Sequence, residues 1–104
     1  MTDLIEFKGL LSFLILHEIS YRPLAGDDLA KKIGDRRGRM LTPGTIYPAL
    51  KKLRDLKLIE YKQIGRKKMY SLTNKGVIEL KKQYKLFSKY FFGLKNKITR
   101  KTAF

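Results

Sequence analysis

The side chains in this sequence that could do chemistry fall into a sparse acid–base set and a dense cationic one. The acid–base set is one histidine, His17, no cysteine, and nine carboxylates of which Asp27 and Asp28 are an adjacent pair. A catalytic site needs a proton donor and acceptor within reach of each other, and a metal site needs several ligands at fixed spacing. His17 has no second histidine near it, so it reads as a packed or half-exposed core residue. Asp27 and Asp28 follow Gly26 and read as carboxylates at the positive end of a helix. No enzyme and no cofactor or metal is expected. The absence of cysteine also excludes a disulfide framework and a thiolate site, and suits a cytoplasmic protein.

The cationic set is different in kind. The chain has 24 Lys and Arg against 9 Asp and Glu, a formal net charge of +15 over 104 residues. Residues 1–40 carry 7 basic and 6 acidic side chains, and residues 41–104 carry 17 and 3. The charge therefore belongs to the second part of the chain, and a balance this far from neutral points to an anionic partner. Lys51, Lys52 and Arg54 form one group and Arg66, Lys67 and Lys68 another. The longest apolar run, Phe13-Leu14-Ile15-Leu16, is far short of the roughly 20 residues of a membrane span. No basic segment precedes it, so neither secretion nor a membrane partner is expected.

The elements that position these cations follow from periodicity. Asp3 and Glu6 suggest a capped start, after which Leu4, Phe7, Leu10, Leu11, Leu14, Ile15 and Ile19 make a first helix that is apolar on more than one side. Pro23 ends it. A second helix starts near Gly26-Asp27-Asp28 and buries Leu29, Ala30 and Ile33. Asp35 to Met40 is a basic turn. Thr42 is placed to cap the next helix with its hydroxyl, and Pro43 suits a first helical position, where no amide partner exists. That helix runs to about Lys57, with Ile46, Leu50 and Leu53 on its inner stripe and Gly44, Pro48, Lys51 and Asp55 on its outer face. Gly44 and Pro48 hold no neighbour off, so a polyanion can approach closely.

Residues 59–72 read as a hairpin. Leu58 to Ile64 shifts to β-branched and aromatic residues, Gly65-Arg66-Lys67-Lys68 makes a cationic turn, and Met69 to Leu72 alternates as a return strand. Thr73 then caps a last helix with Val77, Leu80, Tyr84, Phe87, Phe91, Leu94 and Ile98 at spacings of three and four. The positions beside that seam carry no acid to balance their lysines, so a free symmetric coiled coil would repel itself. The seam is expected to lie on an apolar helix, and the first helix of the same or a second chain is the candidate. The tail from Asn96 to Phe104 is expected to fray.

The expected fold class is mainly α with a small β-hairpin, a winged helix-turn-helix followed by a long C-terminal helix. Residues 1–74 form the winged part. Residues 75–104 form a dimerisation helix and basic tail packed as part of the same domain.

In this order, Thr42-Pro43-Gly44-Thr45-Ile46-Tyr47-Pro48-Ala49-Leu50-Lys51-Lys52-Leu53, with Leu58-Ile59, Gly65-Arg66 and Tyr70-Ser71-Leu72-Thr73-Asn74-Lys75-Gly76 after it, resembles the PadR family of transcriptional regulators. Gly9-Leu10-Leu11 through Leu16 resembles the family's first helix, and the likeness spans about residues 8–92. It implies a homodimeric, double-stranded DNA-binding repressor whose third helix enters the major groove and whose wing follows the backbone. On this likeness Thr42, Gly44, Thr45, Tyr47, Lys51 and Lys52 contact DNA from the helix, and Arg66 and Lys67, with Lys68 beside them, from the wing. Leu11 and Leu14 of the first helix and Leu80, Tyr84, Phe87, Phe91 and Leu94 of the last join the subunits. Two departures stand out. Gly26-Asp27-Asp28 replaces a Gly-Tyr-Glu-like opening, and the short C-terminal region lacks the Trp of relatives that bind drugs between subunits. A small-molecule effector is compatible with the family, but no residue pattern points to one.

The residues alone leave a second reading open. A face poor in base-reading Arg, Asn and Gln on so basic a chain also suits an architectural or weakly specific DNA-coating protein.

Overall fold

In the computed structural model, which describes residues 7–35 and 38–91, four helices pack around a three-stranded antiparallel sheet. The order is α1 (Phe7–Ile19), β1 (Leu24–Ala25), α2 (Gly26–Asp35), α3 (Pro43–Asp55), β2 (Ile59–Ile64), β3 (Lys67–Leu72) and α4 (Asn74–Phe91). The capping pair Asp3 and Glu6, the turn residues Arg36 and Arg37, and the seam residues Leu94 and Ile98 lie outside the described residues.

α1 is apolar around most of its circumference, and it sits where that composition requires, with Leu11, Ile15, Leu16 and Ile19 buried and Phe13 and Leu14 packed against the core. Leu29, Ala30 and Ile33 of α2 and Ile46, Leu50 and Leu53 of α3 close the same core. His17 lies half-buried among aromatic rings. It stacks on Phe13, meets Tyr21 and Tyr84 edge-on, and shares a 2.6 Å hydrogen bond between Nδ1 and the Tyr84 hydroxyl.

Three local expectations need correction. Thr42 occupies the N-cap position of α3, but its hydroxyl bonds the Thr45 hydroxyl at 3.0 Å, and no side-chain cap bond to an amide forms. α3 ends at Asp55 and not near Lys57, because Leu56 is its C-cap and Lys57 turns to a positive φ of 61°. The return strand begins at Lys67, leaving Gly65-Arg66 as a two-residue turn with Gly65 at φ 61°, where a side chain would be strained. Lys67 and Lys68 thus belong to β3, paired with Ile64 and Gln63. The sheet also has an unforeseen strand. β1 pairs Leu24 with Tyr70 and Ala25 with Met69, tying the α1–α2 link to the wing.

The junction between α3 and α4 is a clasp. The Thr73 amide donates to the Leu58 carbonyl at 3.1 Å, the Thr73 hydroxyl to the Lys57 carbonyl at 2.7 Å, and Lys75 Nζ to the Leu56 carbonyl at 3.0 Å. As expected, Thr73 also caps α4, accepting from the Gly76 amide at 3.0 Å. Gly76 lies so close to the Leu58 carbonyl that a Cβ there would collide with it.

Candidate nucleic-acid interface

The outer face of α3 is built by subtraction. Ile46, Leu50 and Leu53 point inward at 1–2% exposure, which leaves Gly44, Tyr47, Pro48, Lys51, Lys52, Arg54 and Asp55 exposed on the other side. Pro48 removes one helical amide, and the helix continues through it to Asp55. Thr45 is half-buried, its hydroxyl directed to Thr42. Lys51 is not a free cation. Its Nζ lies 2.9 Å from Asp55 Oδ2 one turn on, an exposed pair of the kind that contributes little to stability and exchanges readily.

Tyr47 leaves the α3 surface for a cleft shared with the wing and the start of α2. Its ring lies against Gly26, so closely that a Cβ at that position would sit 2.8 Å from a ring carbon. The cleft, of about 420 Å³, is lined by Gly26, Asp27, Tyr47, Arg66, Lys67 and Lys68 among others. Lys67 Nζ reaches to 3.6 Å from Asp27 Oδ2, a contact between two exposed side chains that links the wing to the first turn of α2. Asp27 therefore has a job beyond the helix dipole, one that only the folded placement of the hairpin reveals.

Lys68 of the wing is organised by an aromatic ring. Lys68 Nζ lies 4.8 Å from the centre of the Tyr61 ring, and the Arg54 guanidinium carbon of α3 lies 4.7 Å from the same ring. Tyr61 in turn packs on Tyr70 at 5.7 Å, whose phenol burial pushes above its ordinary pKa while nearby Arg54 works in the opposite direction. Tyr61 and Tyr70 thus hold α3 and the wing in one frame. Sequence reasoning assigned them no role, although their directly opposed positions in the hairpin are the signal that could have found them. Arg66, Lys67 and Lys68 are all exposed.

The seam residues divide. Leu11 and Leu80 are 3% and 4% exposed within one chain, so its own core already covers them. Leu14 is half-buried. Phe87 packs on Phe13 of α1 at 4.6 Å between ring centres, and Tyr84 meets Phe13 edge-on at 5.6 Å. Val77, Tyr84 and Phe91 keep 39–40% exposure along one flank of α4.

Three helices around a small sheet, a hairpin wing beside the third helix, and a long fourth helix define a winged helix-turn-helix protein. The chain belongs to the PadR-like family of transcriptional regulators, whose family model matches residues 15–82. Among solved structures it is similar to a PadR-like transcriptional regulator from Bacillus cereus, 28% identical, with 91% of this chain and 97% of that one covered and a TM-score of 0.77. A PadR-family regulator from Clostridium difficile is 26% identical, covering 88% of this chain and 100% of that one at a TM-score of 0.70. Bacillus subtilis PadR, solved in complex with operator DNA, is 32% identical over 72% of this chain and 46% of that one, at a TM-score of 0.62. No curated protein sequence gives a match.

Proposed function

We propose that this protein is a sequence-specific, double-stranded DNA-binding repressor that acts as a homodimer in the cytoplasm, reading the major groove with α3 and the backbone with the wing. The observation that carries the reading is the continuous exposed surface of α3 and the hairpin. On it Gly44 and Pro48 leave room for close approach, and Lys52, Arg54, Arg66, Lys67 and Lys68 supply charge. The family membership and the operator complex of Bacillus subtilis PadR support it. Thr42, Gly44, Thr45, Tyr47, Lys51 and Lys52 are the helix contacts in this reading, and Arg66, Lys67 and Lys68 the wing contacts. In it, residues 1–74 are the DNA-binding part. Residues 75–104 join the subunits through the exposed flank of α4 bearing Tyr84 and Phe91, with Leu14 and Phe87 adjoining and Leu11 and Leu80 holding α1 and α4 together beneath. No enzymatic step is assigned.

Footprinting on genomic DNA of the source tests this reading. Discrete protected sites with two-fold symmetry and half-sites about 10 base pairs apart, or a multiple of that, are expected. Uniform protection would favour the second reading, an architectural DNA-coating protein. That reading draws on the Lys51–Asp55 pair, which occupies one of the few side chains able to read a base edge.

A further inference from the structure

The surface assigned to DNA in the proposed function uses less than half of the chain's charge. Residues 42–68 carry eight basic and two acidic side chains, whereas residues 75–104 carry nine basic and one acidic, a net +8 of the total +15. Recognition helix and wing leave the larger block without a purpose.

The described lysines in that block are ordered. At about 100° per residue, Lys75, Lys82, Lys85 and Lys89 fall in one stripe of α4 about 80° wide, with Lys81 at its edge. All five are exposed. Gly76, Leu80 and Phe87, the α4 residues turned toward the body of the protein, lie on the opposite side of the helix. From Lys75 to Lys89 the stripe runs about 21 Å at the usual helical rise. Glu79, the only carboxylate of α4, accepts a hydrogen bond from Gln83 at 3.3 Å. Among the described residues none of the five lysines pairs with a carboxylate. Like charges at spacings of three and four weaken a helix, and a bound polyanion removes that repulsion.

From Lys81 onward the stripe is also separate from the surfaces already assigned, while Lys75 at its start donates to the Leu56 carbonyl at the end of α3. Val77, Tyr84 and Phe91, one exposed apolar flank, lie about 140° around the helix from the stripe's centre, so a subunit seated on that flank leaves Lys82, Lys85 and Lys89 clear; Ile78 and Leu86, also exposed, lie within the stripe and at its edge. α4 leaves the fold at the base of the hairpin, where Thr73 is bonded to Leu58, while the turn Gly65-Arg66 lies at the far end of six-residue strands, about 20 Å away. Lysines are compact point charges that suit a phosphate backbone without reading its sequence.

We infer that the α4 lysine stripe holds the backbone of a second DNA duplex, so that a molecule seated on one duplex through α3 and the wing tethers another. The inference rests on the proposed DNA-binding function for the first duplex.

The test is capture of a free labelled duplex of random sequence by an immobilised one, measured beside affinity for a single 20-base-pair duplex and a single 60-base-pair duplex. Lys82→Gln, Lys85→Gln and Lys89→Gln are combined in one variant, and a Lys→Arg triple keeps the charge. The Gln triple is expected to lose capture at least fivefold while its affinity for the 20-base-pair duplex changes less than twofold, and the Arg triple is expected to capture like wild type. Wild-type protein that binds the short duplex but captures nothing overturns the inference, as does a Gln triple that captures like wild type. A Gln triple weakened on the 60-base-pair duplex, with no capture by wild type, would assign the stripe to flanking DNA of the same duplex and also overturn it. The wing variant Arg66→Ala, Lys67→Ala, Lys68→Ala separates the two levels. If it leaves affinity for the short duplex intact, the first-duplex reading fails whatever the capture assay shows.

Discussion

The two ends of this molecule handle their exposed side chains in opposite ways. At the α3 and wing end, four of the exposed cations are tied to neighbours by weak, exchangeable contacts: Lys51 to Asp55, Lys67 to Asp27, and Lys68 and Arg54 to the Tyr61 ring. Along α4, Lys81, Lys82, Lys85 and Lys89 share their helix with a single carboxylate, and the apolar side is split between a flank buried on α1 and one left exposed. Arg54 and Lys68, set on the Tyr61 ring, share one frame in which a ligand can be discriminated. A bare charge stripe can only attract.

The contrast depends on both ends being joined rigidly, and the clasp between α3 and α4 is where it breaks most easily. Gly76→Val drives a side chain into the Leu58 carbonyl. A loss of about 3 kcal/mol, the upper range for overpacking, is expected in denaturant unfolding. Gly9→Ala in α1, where an added Cβ meets nothing within 4 Å, should by contrast gain about 0.5–1 kcal/mol. Equal behaviour of the two glycines would mean that the clasp carries no strain on substitution.

The next effect concerns the split apolar side of α4. Phe87→Ser with Phe91→Ser should yield monomers in sedimentation, since two aromatic side chains buried on association would contribute about 2–3 kcal/mol each. Phe87 also packs on Phe13 within the chain, so this variant should unfold at lower temperature as well, whereas Phe91→Ser alone should weaken association with little loss of monomer stability. A double variant that sediments as wild type does would remove the dimer from the proposal.

At the wing the effects are electrostatic and smaller. Arg66→Ala, Lys67→Ala, Lys68→Ala should flatten the salt dependence of binding by up to about 0.9 in log K per log salt for each phosphate no longer neutralised. Asp27→Asn releases Lys67 and removes a carboxylate from the cleft, so DNA affinity should rise a few fold, most visibly at low salt. An unchanged or lower affinity would show that Asp27 serves only the start of α2.

The smallest effect is on pH. Tyr70 has its pKa raised by burial in the folded state, so its contribution to stability is fully present below the ordinary phenol value of 10.0 and is lost as pH rises through the higher folded value. Stability of the wild type should fall in that alkaline window, and Tyr70→Phe should lessen the fall in thermal unfolding.

Much of the α3 and wing end was legible in the sequence because its signals are local. Thr42-Pro43 marks a helix start by residue type, Ile46, Leu50 and Leu53 mark its inner face by spacing, and the β-branched and aromatic run around Gly65 marks the hairpin. What was missed depends on contacts distant in sequence. β1 is two residues long and exists only because Leu24 and Ala25 meet Tyr70 and Met69. Lys67 and Lys68 read as turn residues because a run of cations has no β signature, and only their pairing with Ile64 and Gln63 puts them in a strand. The regular seam of α4 gave no means of telling Leu80, covered by its own chain, from Phe91, left exposed, since periodicity sets a face and not what covers it.

The most direct test of sequence-specific recognition by α3 is competition binding at one fixed salt concentration, with a footprinted operator and a random duplex as competitors. Thr45→Ala, Tyr47→Ala and Lys51→Ala are compared with the wing triple. The helix substitutions are expected to lower the operator-to-random affinity ratio, by about 1–3 kcal/mol for each base edge no longer read, while the wing triple lowers both affinities and leaves the ratio nearly intact. A ratio that the helix substitutions leave unchanged would contradict recognition by α3 and make the protein an architectural DNA-binding one.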